Sequence, residues 1–191
     1  QITANDYYKY TKFTLLNNKK KNEPILLSDV YQENIQDEVR GIVKQIYSLI
    51  RDSELTVPTH ADLEISHHYG INNFYKFGLS MITVINRGYC KKLLILLPGQ
   101  AHPEQYHKVK EETFHVLWGG GNLKIDDNFH KLSKGDVHTI LPNQRHYFET
   151  KEGIIIEEIS TTHSKDDSFY IDESIKNNLD RKTLLSHWRI S

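Results

Sequence analysis

The sequence predicts a mainly β protein that folds as a jelly-roll barrel, with a helical N-terminal extension and a short C-terminal helix. Short β-type runs follow one another from Leu63 to Ser160, and turn residues separate them. Such regular spacing indicates a sandwich or a closed barrel, and turns led by glycine, as at Gly99 and Gly135, favour the jelly-roll type. The segments on either side of these runs have helical spacing instead.

The N-terminal extension, residues 1–54, contains one clear helix signal over residues 36–51. Its apolar side chains recur at intervals of three and four residues: Ile35, Val39, Ile42, Val43, Ile46, Leu49 and Ile50. A stripe of this kind must be covered by other apolar surface. The outer face of a sheet or a second subunit would provide that cover.

The barrel domain is predicted to span residues 55–191, including the C-terminal helix. Within it, the run from Gly119 to Gly121 is interpreted as a turn between two strands. Helical spacing returns after Tyr170. The apolar positions there are Ile175, Leu179, Leu184 and Trp188.

Composition and charge exclude several classes of partner. The chain has 191 residues, 38% hydrophobic side chains and a formal net charge of −1, so it can bury one sizeable core but does not attract nucleic acid electrostatically. No apolar run approaches the length of a membrane span. The single cysteine, Cys90, excludes an internal disulfide framework and fits a reducing compartment. We therefore expect a cytoplasmic protein with no nucleic-acid or membrane partner.

A candidate metal site is formed by His107, Glu112 and His146, which together provide two imidazoles and one carboxylate. Such a three-ligand set binds Mn, Zn, Fe or Ni and leaves coordination positions open for substrate or water. Gln105 precedes His107 by two residues, so the two side chains share a face if this segment is a strand. The Gln105 amide can ligate a hard metal weakly or hydrogen-bond a substrate hydroxyl.

Two aromatic side chains are candidates for contact with a substrate. Strand alternation from Glu112 onward places Trp118 on the face of the predicted ligands and turns His115 away from them. The same alternation places Phe148 on the face of His146.

The spacing of these residues resembles the metal-site signature of the cupin barrel, a double-stranded β-helix. The matching positions are Gly99, His107, Glu112, Gly119, Gly135, Pro142 and His146, and Gln105 occupies the slot of the first histidine. Asn143 stands where the signature has glycine, and asparagine tolerates the positive φ that such a turn requires.

The chain resembles one branch of that family, the sugar-isomerase-like cupins, more narrowly. This branch includes D-lyxose isomerase, a manganese-dependent aldose–ketose isomerase, and the cupin module of some enzymes of the N-acetylneuraminate synthase type. The similar segments are residues 97–119, 157–163 and 167–170, and residues 65–71 and 86–92 look like the synthase-associated group.

The resemblance implies roles for individual residues. The metal-ligand positions are matched by His107, Glu112, His146 and Gln105. Lys110 and Glu158 match a lysine and a late-strand glutamate that are proposed to act on the sugar in D-lyxose isomerase, and Glu157 is the competing assignment for the glutamate. On the residues alone, Lys110 also fits a charged run that faces water, and Glu158 also fits an ordinary ion pair.

The leading hypothesis is a metal-binding cupin that acts as a sugar isomerase or epimerase of the aldose–ketose type, and bacterial sialic-acid-like or surface-sugar metabolism is the expected setting. Such a reaction requires a base near a carbon acid and an electrophile that stabilises the enediolate oxygens. One alternative is a non-catalytic sugar-binding or regulatory module of a synthase, and another is a metal-dependent dioxygenase, because fold does not choose between them. The resemblance and the helix stripe also predict a homodimer.

Overall fold

The computed structural model describes residues 27–58, 60–164, 166–186 and 188. One long helix, α1 (Leu27–Asp52), precedes an 11-stranded antiparallel sheet. The strands are β1 (Leu63–His67), β2 (Gly78–Asn86), β3 (Cys90–Leu96), β4 (Ala101–Tyr106), β5 (Glu112–Ile125), β6 (Asn128–Ser133), β7 (Val137–Ile140), β8 (His146–Glu149), β9 (Ile154–Ser160), β10 (Phe169–Tyr170) and β11 (Lys182–Leu185). Two short helices, α2 (Phe74–Phe77) and α3 (Glu173–Asn177), and a 3-10 turn at Ile71–Asn73 complete the described elements.

The sheet curls into a jelly-roll half-barrel in the order β10-β4-β8-β5-β9-β3-β2-β1-β11, and β6 and β7 both pair with β5. The predicted mainly β fold class is therefore confirmed. The long strand β5 connects the two parts of the sheet. Its first half pairs with β7 and β9, and its second half pairs with β6 and β8.

Two hydrophobic clusters lie on the two faces of the sheet, because side chains alternate along each strand. Ile155 faces outward, for example, and its neighbour Ile156 faces inward. The inner cluster comprises Leu79, Leu94, Leu96, Phe114, Val116, Leu123, Ile125, Leu132, Ile140, Phe148, Ile154 and Ile156. This cluster fills the barrel up to the polar end described below.

Helix α1 covers the outer face of the sheet with the apolar stripe that its sequence predicts. Val39, Ile42, Val43, Ile46 and Ile50 are buried in the outer cluster. Their partners on the sheet include Leu63, Ile65, Ile82, Leu93, Ile95 and Ile155. Each such side chain contributes about 1.5–3 kcal/mol when it is removed from water. The sheet of the same chain thus covers the stripe.

The sequence predicted a turn at Gly119–Gly121, but these residues are part of strand β5. At Gly119 the φ angle is 73°, and a Cβ atom there would collide with the carbonyl oxygen of Gly153. A Cβ at Gly121 would likewise meet the carbonyl of Glu149. Glycine is required because two other strand backbones approach β5 here, where β5 exchanges its partners.

The C-terminal segment also differs from the prediction. A short helix, α3, is present and buries Ile175, but Leu184 lies in strand β11 and not on a helix. Strand β11 pairs with β1, so edge hydrogen bonding outweighs the helical spacing of this segment. Leu179 is 91% exposed, whereas Trp188 is buried and donates its indole N–H to the Ala61 carbonyl at 2.8 Å.

In the part of the chain that the structure describes, no helix combines the length and the apolar character needed to cross a membrane.

Candidate active site

Three strand ends bring His107, Glu112 and His146 together at one end of the barrel. His107 follows β4, Glu112 begins β5 and His146 begins β8. All three side chains are buried, and one ligand atom from each lies within 4.8 Å of the others. The loop between His107 and Glu112 bends at Lys108 and Val109, so strand alternation is interrupted and residues five positions apart can reach the same point.

Each imidazole is oriented by a backbone carbonyl. Nδ1 of His107 donates to the carbonyl of Asp167, and Nδ1 of His146 lies 3.3 Å from the carbonyl of Gln144. With the proton on Nδ1, the lone pair of each Nε2 atom faces the cavity, as in metal-ligating histidines.

The carboxylate of Asp167 holds the loop that carries His107. It accepts hydrogen bonds from the backbone N–H groups of Lys108 at 2.9 Å, Val109 at 3.2 Å and Lys110 at 2.8 Å. Partial burial raises the pKa of Asp167, but these donors outweigh it and leave the pKa below its ordinary value. Asn143, at φ 70° as its turn requires, donates its N–H to the His107 carbonyl at 2.6 Å. The site is therefore positioned by contacts between distant segments.

Among the described residues, several buried atoms at this point lack a hydrogen-bond partner: Gln105 Oε1, His107 Nε2 and Glu112 Oε1. An unsatisfied buried polar atom costs about 1–3 kcal/mol. Glu112 Oε1 lies 3.0 Å from His146 Nε2, and Glu112 Oε2 lies 3.4 Å from His107 Nε2, so the carboxylate and the two imidazoles converge on one position. A divalent cation there would satisfy them, and the nitrogen and oxygen donor set fits Mn, Fe, Zn or Ni.

Lys110 lies between two buried carboxylates. Its ammonium contacts Glu112 Oε2 and lies 3.1 Å from Glu158 Oε1. Burial lowers the pKa of Lys110, but Glu112 and Glu158 more than offset this and raise it above its ordinary value. Burial likewise raises the pKa of Glu112, whereas Lys110 and then His146 bring it well below its usual range. Lys110 therefore does not face water. The alternative from the sequence, that Lys110 belongs to a charged run that faces water, is wrong.

Glu158 and Glu157 point to opposite faces of β9. Glu158 is buried, and its Oε1 accepts from Ser160 at 2.9 Å in addition to Lys110. Within the described residues, its second oxygen, Oε2, makes no hydrogen bond or ion pair. Glu157 pairs on the outer face with Lys91 at 2.6 Å. Of the two candidates from the sequence, Glu158 is thus the one on the inner face, beside Lys110 and Glu112.

Comparison with known proteins assigns the central part of the chain to a family. Residues 92–155 match the family described as Cupin domain. The chain has the cupin fold. It is 27% identical over 173 residues to the D-lyxose/D-mannose isomerase of Thermosediminibacter oceani, and the match covers 74% of this chain and 94% of that protein. It is 28% identical over 170 residues to the D-lyxose ketol-isomerase of Cohnella laeviribosi, covering 74% and 90%.

Solved structures agree on the fold. The ligand-free L-ribose isomerase of Cellulomonas parahominis superimposes with a TM-score of 0.62 at 14% identity, covering 74% of this chain and 94% of that one. The L-ribose isomerase of Geodermatophilus obscurus gives a TM-score of 0.60 at 14% identity, with the same coverage. At this level of identity the likeness shows the cupin fold, including the strands outside residues 92–155.

All the predicted site residues except Trp118 line the cupin cavity or act as its candidate ligands. Phe148 lines the wall and stacks on His102, with ring centroids 4.8 Å apart. His102 was not predicted as a site residue, because strict strand alternation from Gln105 would turn the His102 side chain outward. A register shift between His102 and Gln105 directs both side chains inward.

Lys92, His68 and Tyr170 also line the cavity and were not predicted as site residues. Lys92 is directly opposite Glu158 in the β3–β9 register, with Nζ 3.9 Å from Oε1. His68 lies within residues 65–71, one of the segments on which the sequence-based family resemblance was argued, and no other signal in the sequence pointed to it. Its Nε2 lies 3.0 Å from the Tyr170 hydroxyl.

The prediction that Trp118 shares the face of Glu112 is wrong. In the β5–β9 register Val116 pairs with Ile156 but Trp118 pairs with Ile155, so one extra residue, Leu117, interrupts the alternation. A bulge of this kind turns every following side chain to the other face. Trp118 accordingly packs against the outer cluster beneath helix α1 and does not line the cavity.

Proposed function

We propose that this cupin is a metal-dependent sugar isomerase that interconverts an aldose and a ketose. The observation that carries the proposal is the Oε2 atom of Glu158, a buried carboxylate oxygen beside the candidate metal ligands that makes no hydrogen bond or ion pair within the described residues. The relatives named D-lyxose isomerase support the same reaction class. The residues that would hold the metal are His107, Glu112 and His146, with Gln105 as a weak fourth ligand.

A divalent metal bound there would polarise the carbonyl and hydroxyl oxygens of the sugar. Glu158 acts as the base through Oε2: it removes the proton from C2 of the aldose and returns it to C1. The hydroxyl proton moves from O2 to O1, so that the carbonyl passes from C1 to C2 and the atoms balance. The Oε1 contacts with Lys110 and Ser160 hold the carboxylate in place during both transfers.

Lys110 acts as a fixed cation in this proposal. Its position between Glu112 and Glu158 couples the metal ligand to the base, and it offers positive charge next to the oxygens that become negative in the enediolate. Gln105 and Phe148 contribute to sugar binding, Gln105 through its amide and Phe148 through the apolar wall that it forms with His102.

The test compares two adjacent glutamates. D-lyxose, D-mannose and L-ribose are each incubated with manganese-loaded protein, and the corresponding ketose is measured. Glu158→Gln is expected to lower kcat by about 10²–10⁴ while the metal content stays unchanged. Glu157→Gln is the matched control, and its turnover should equal that of the wild type, because Glu157 pairs with Lys91 on the outer face. Equal rates for Glu158→Gln and the wild type would contradict the proposal.

Further measurements on the purified protein distinguish the isomerase from the two alternative functions. A non-catalytic sugar-binding module would keep its sugar affinity after chelation and form no ketose with any of the three aldoses. An iron dioxygenase would consume oxygen in the presence of Fe(II). For an isomerase, Glu112→Ala should abolish both metal retention and turnover.

The resemblance to the sugar-isomerase-like cupins also gives predictions about the pathway, oligomeric state and location of the protein. A place in sialic-acid-like or surface-sugar metabolism, a homodimeric state and a cytoplasmic location are predictions that accompany the isomerase proposal. Sedimentation of the purified chain measures the oligomeric state directly.

A further inference from the structure

A second groove continues from the mouth of the cavity across the inner face of the sheet. Lys92, Met81, His163, Arg181 and Lys182 line both the cavity and this groove. The β-sheet register explains the continuity. Glu158 on β9 is opposite Lys92 on β3, and Ser66 on β1 is opposite Lys182 on β11. A ligand can therefore extend from the candidate metal site toward β11 without leaving the concave surface.

The groove is strongly basic. Four cationic side chains line it, Lys92, Lys176, Arg181 and Lys182, against one carboxylate, Glu64. Glu64 is already paired with Lys182 at 2.7 Å. The adjoining cavity adds Lys110, and its two carboxylates, Glu112 and Glu158, both contact that lysine.

Arg181 has no partner of opposite charge among the described residues. Its guanidinium lies over the ring of Tyr170, 5.2 Å from the centroid, and it makes no hydrogen bond or ion pair there. Lys176 has only an exposed contact with Glu173 at 3.8 Å, which contributes little. Among the described residues, Arg181 thus lines the groove without an acidic partner, and Lys176 lines it with only a weak one.

His163 lies in the same positively charged region of the groove. Its Nδ1 atom is buried and has no hydrogen-bond partner among the described residues. Burial, and next the charges of Lys92 and Lys110, lower the pKa of His163 to about 4. A neutral imidazole with a free nitrogen is therefore available as a hydrogen-bonding group at the junction of cavity and groove.

We propose that this groove is an oxyanion subsite, so that the substrate of the isomerase is a sugar carrying a phosphate or carboxylate group remote from its carbonyl. The orientation of the bound sugar rests on the proposed isomerase function. Its carbonyl end lies at the candidate metal ligands, and its anionic end lies against Arg181. A guanidinium with no protein partner is suited to this role, because its planar donors bind phosphate and carboxylate oxygens in pairs. A neutral aldose would leave these cations without a counter-charge.

The test measures binding apart from turnover. D-mannose, D-mannose 6-phosphate and D-mannuronate are titrated calorimetrically into the full chain after chelator treatment, so that bound metal cannot hold the anion. At least one anionic sugar is expected to bind about tenfold or more tightly than D-mannose, and rising salt should reduce this preference. A gain with the phosphate alone or with the carboxylate alone identifies which anion the groove accepts, and both outcomes support the subsite.

Two variants and one control locate the effect. Arg181→Gln should reduce the preference for the anionic sugar by about tenfold, and Lys176→Gln, an exposed position that does not affect folding of the core, should reduce it by a smaller factor. Arg51→Gln is the matched control, because Arg51 pairs with Asp52 at the end of helix α1 on the opposite side of the sheet. Equal affinity for all three sugars, or a preference that survives in both groove variants, overturns the proposal.

These results are independent of the isomerase test. If neutral sugars are isomerised but no anionic sugar is preferred, the subsite is wrong and the proposed function stands. If an anionic sugar binds in an Arg181-dependent manner but no ketose forms from it or from any of the neutral aldoses, the subsite stands and the isomerase proposal fails.

Discussion

The side-chain amide nitrogen of Gln105 lies 3.3 Å from Nε2 of His146. The two residues are also direct neighbours in the β4–β8 register, and the amide oxygen of Gln105 is buried without a partner among the described residues. Gln105 therefore lies beside a candidate metal ligand, at the position where the cupin signature has a histidine, and its amide is a weaker donor than an imidazole.

Restoring a histidine at this position should strengthen the metal site. Gln105→His adds an imidazole next to His146, and we expect the affinity for Mn²⁺ to rise by about tenfold or more. Competition against a chelator of known affinity, with metal content measured per chain, checks this. Gln105→Ala is the control and should bind metal no more tightly than the wild type. An unchanged affinity in Gln105→His would show that this side chain is not close enough to ligate.

Removing the cation between the two buried carboxylates should destabilise the metal-free protein. Lys110→Met leaves Glu112 without its ammonium partner and Glu158 with only the more distant Lys92 at 3.9 Å, and we expect the free energy of unfolding to fall by about 3–5 kcal/mol. Urea unfolding of chelator-treated protein measures it. Lys91→Met, which breaks the more exposed pair with Glu157, should cost less than about 1 kcal/mol. Similar losses for the two variants would argue against a buried ion cluster.

Trp118 and Phe148 should behave differently although the sequence suggested one role for both. Phe148→Leu removes part of the cavity wall and should raise the KM for the sugar. Trp118→Leu loosens the packing beneath α1 and should lower the free energy of unfolding by about 1–3 kcal/mol with no change in KM. Steady-state kinetics and urea unfolding on both variants check the pair of expectations. A raised KM in Trp118→Leu would contradict the position of Trp118 on the outer face.

Stability should decrease under mild acid partly because of His68. This residue is buried, its Nδ1–H donates to the Phe77 carbonyl at 2.7 Å, and its Nε2 accepts from Tyr170. Burial lowers its pKa from 6.5 to about 4, so between these values the unfolded chain takes up a proton that the folded chain does not. The stabilisation is complete above about pH 6.5 and is lost as the pH falls toward 4, by up to about 3 kcal/mol.

His68→Gln isolates this effect, since glutamine does not titrate. The free energy of unfolding of the variant should decline less steeply between pH 6.5 and 4.5 than that of the wild type. Parallel pH profiles for the two proteins would mean that His68 takes up its proton equally in both states.

The sequence predicted the features that depend on local periodicity or on fixed spacing. The helix stripe from Val39 to Ile50 follows from intervals of three and four residues, which local backbone geometry converts directly into position. The grouping of His107, Glu112 and His146 was predicted from the spacing of the whole motif and its resemblance to the cupin signature. Alternation also placed His115 on the outer face, where it lies 3.3 Å from Glu157.

Predictions failed where a contact between distant segments interrupts the local pattern. The bulge at Leu117 reversed the face of Trp118, and the register shift before Gln105 turned His102 inward. The sequence around Gly119 is typical of a turn, yet Gly119 lies within strand β5, where the Gly153 backbone passes close to it.

Spacing along the chain identified a jelly roll and its candidate ligands, because strand alternation and motif intervals are local properties. The partners of those ligands came from packing across the barrel: Asp167 beside His107, Glu158 beside Lys110, and Lys92 opposite Glu158. None of these pairs has a fixed separation in sequence. The register between strands, set by the whole folded sheet, brings them together.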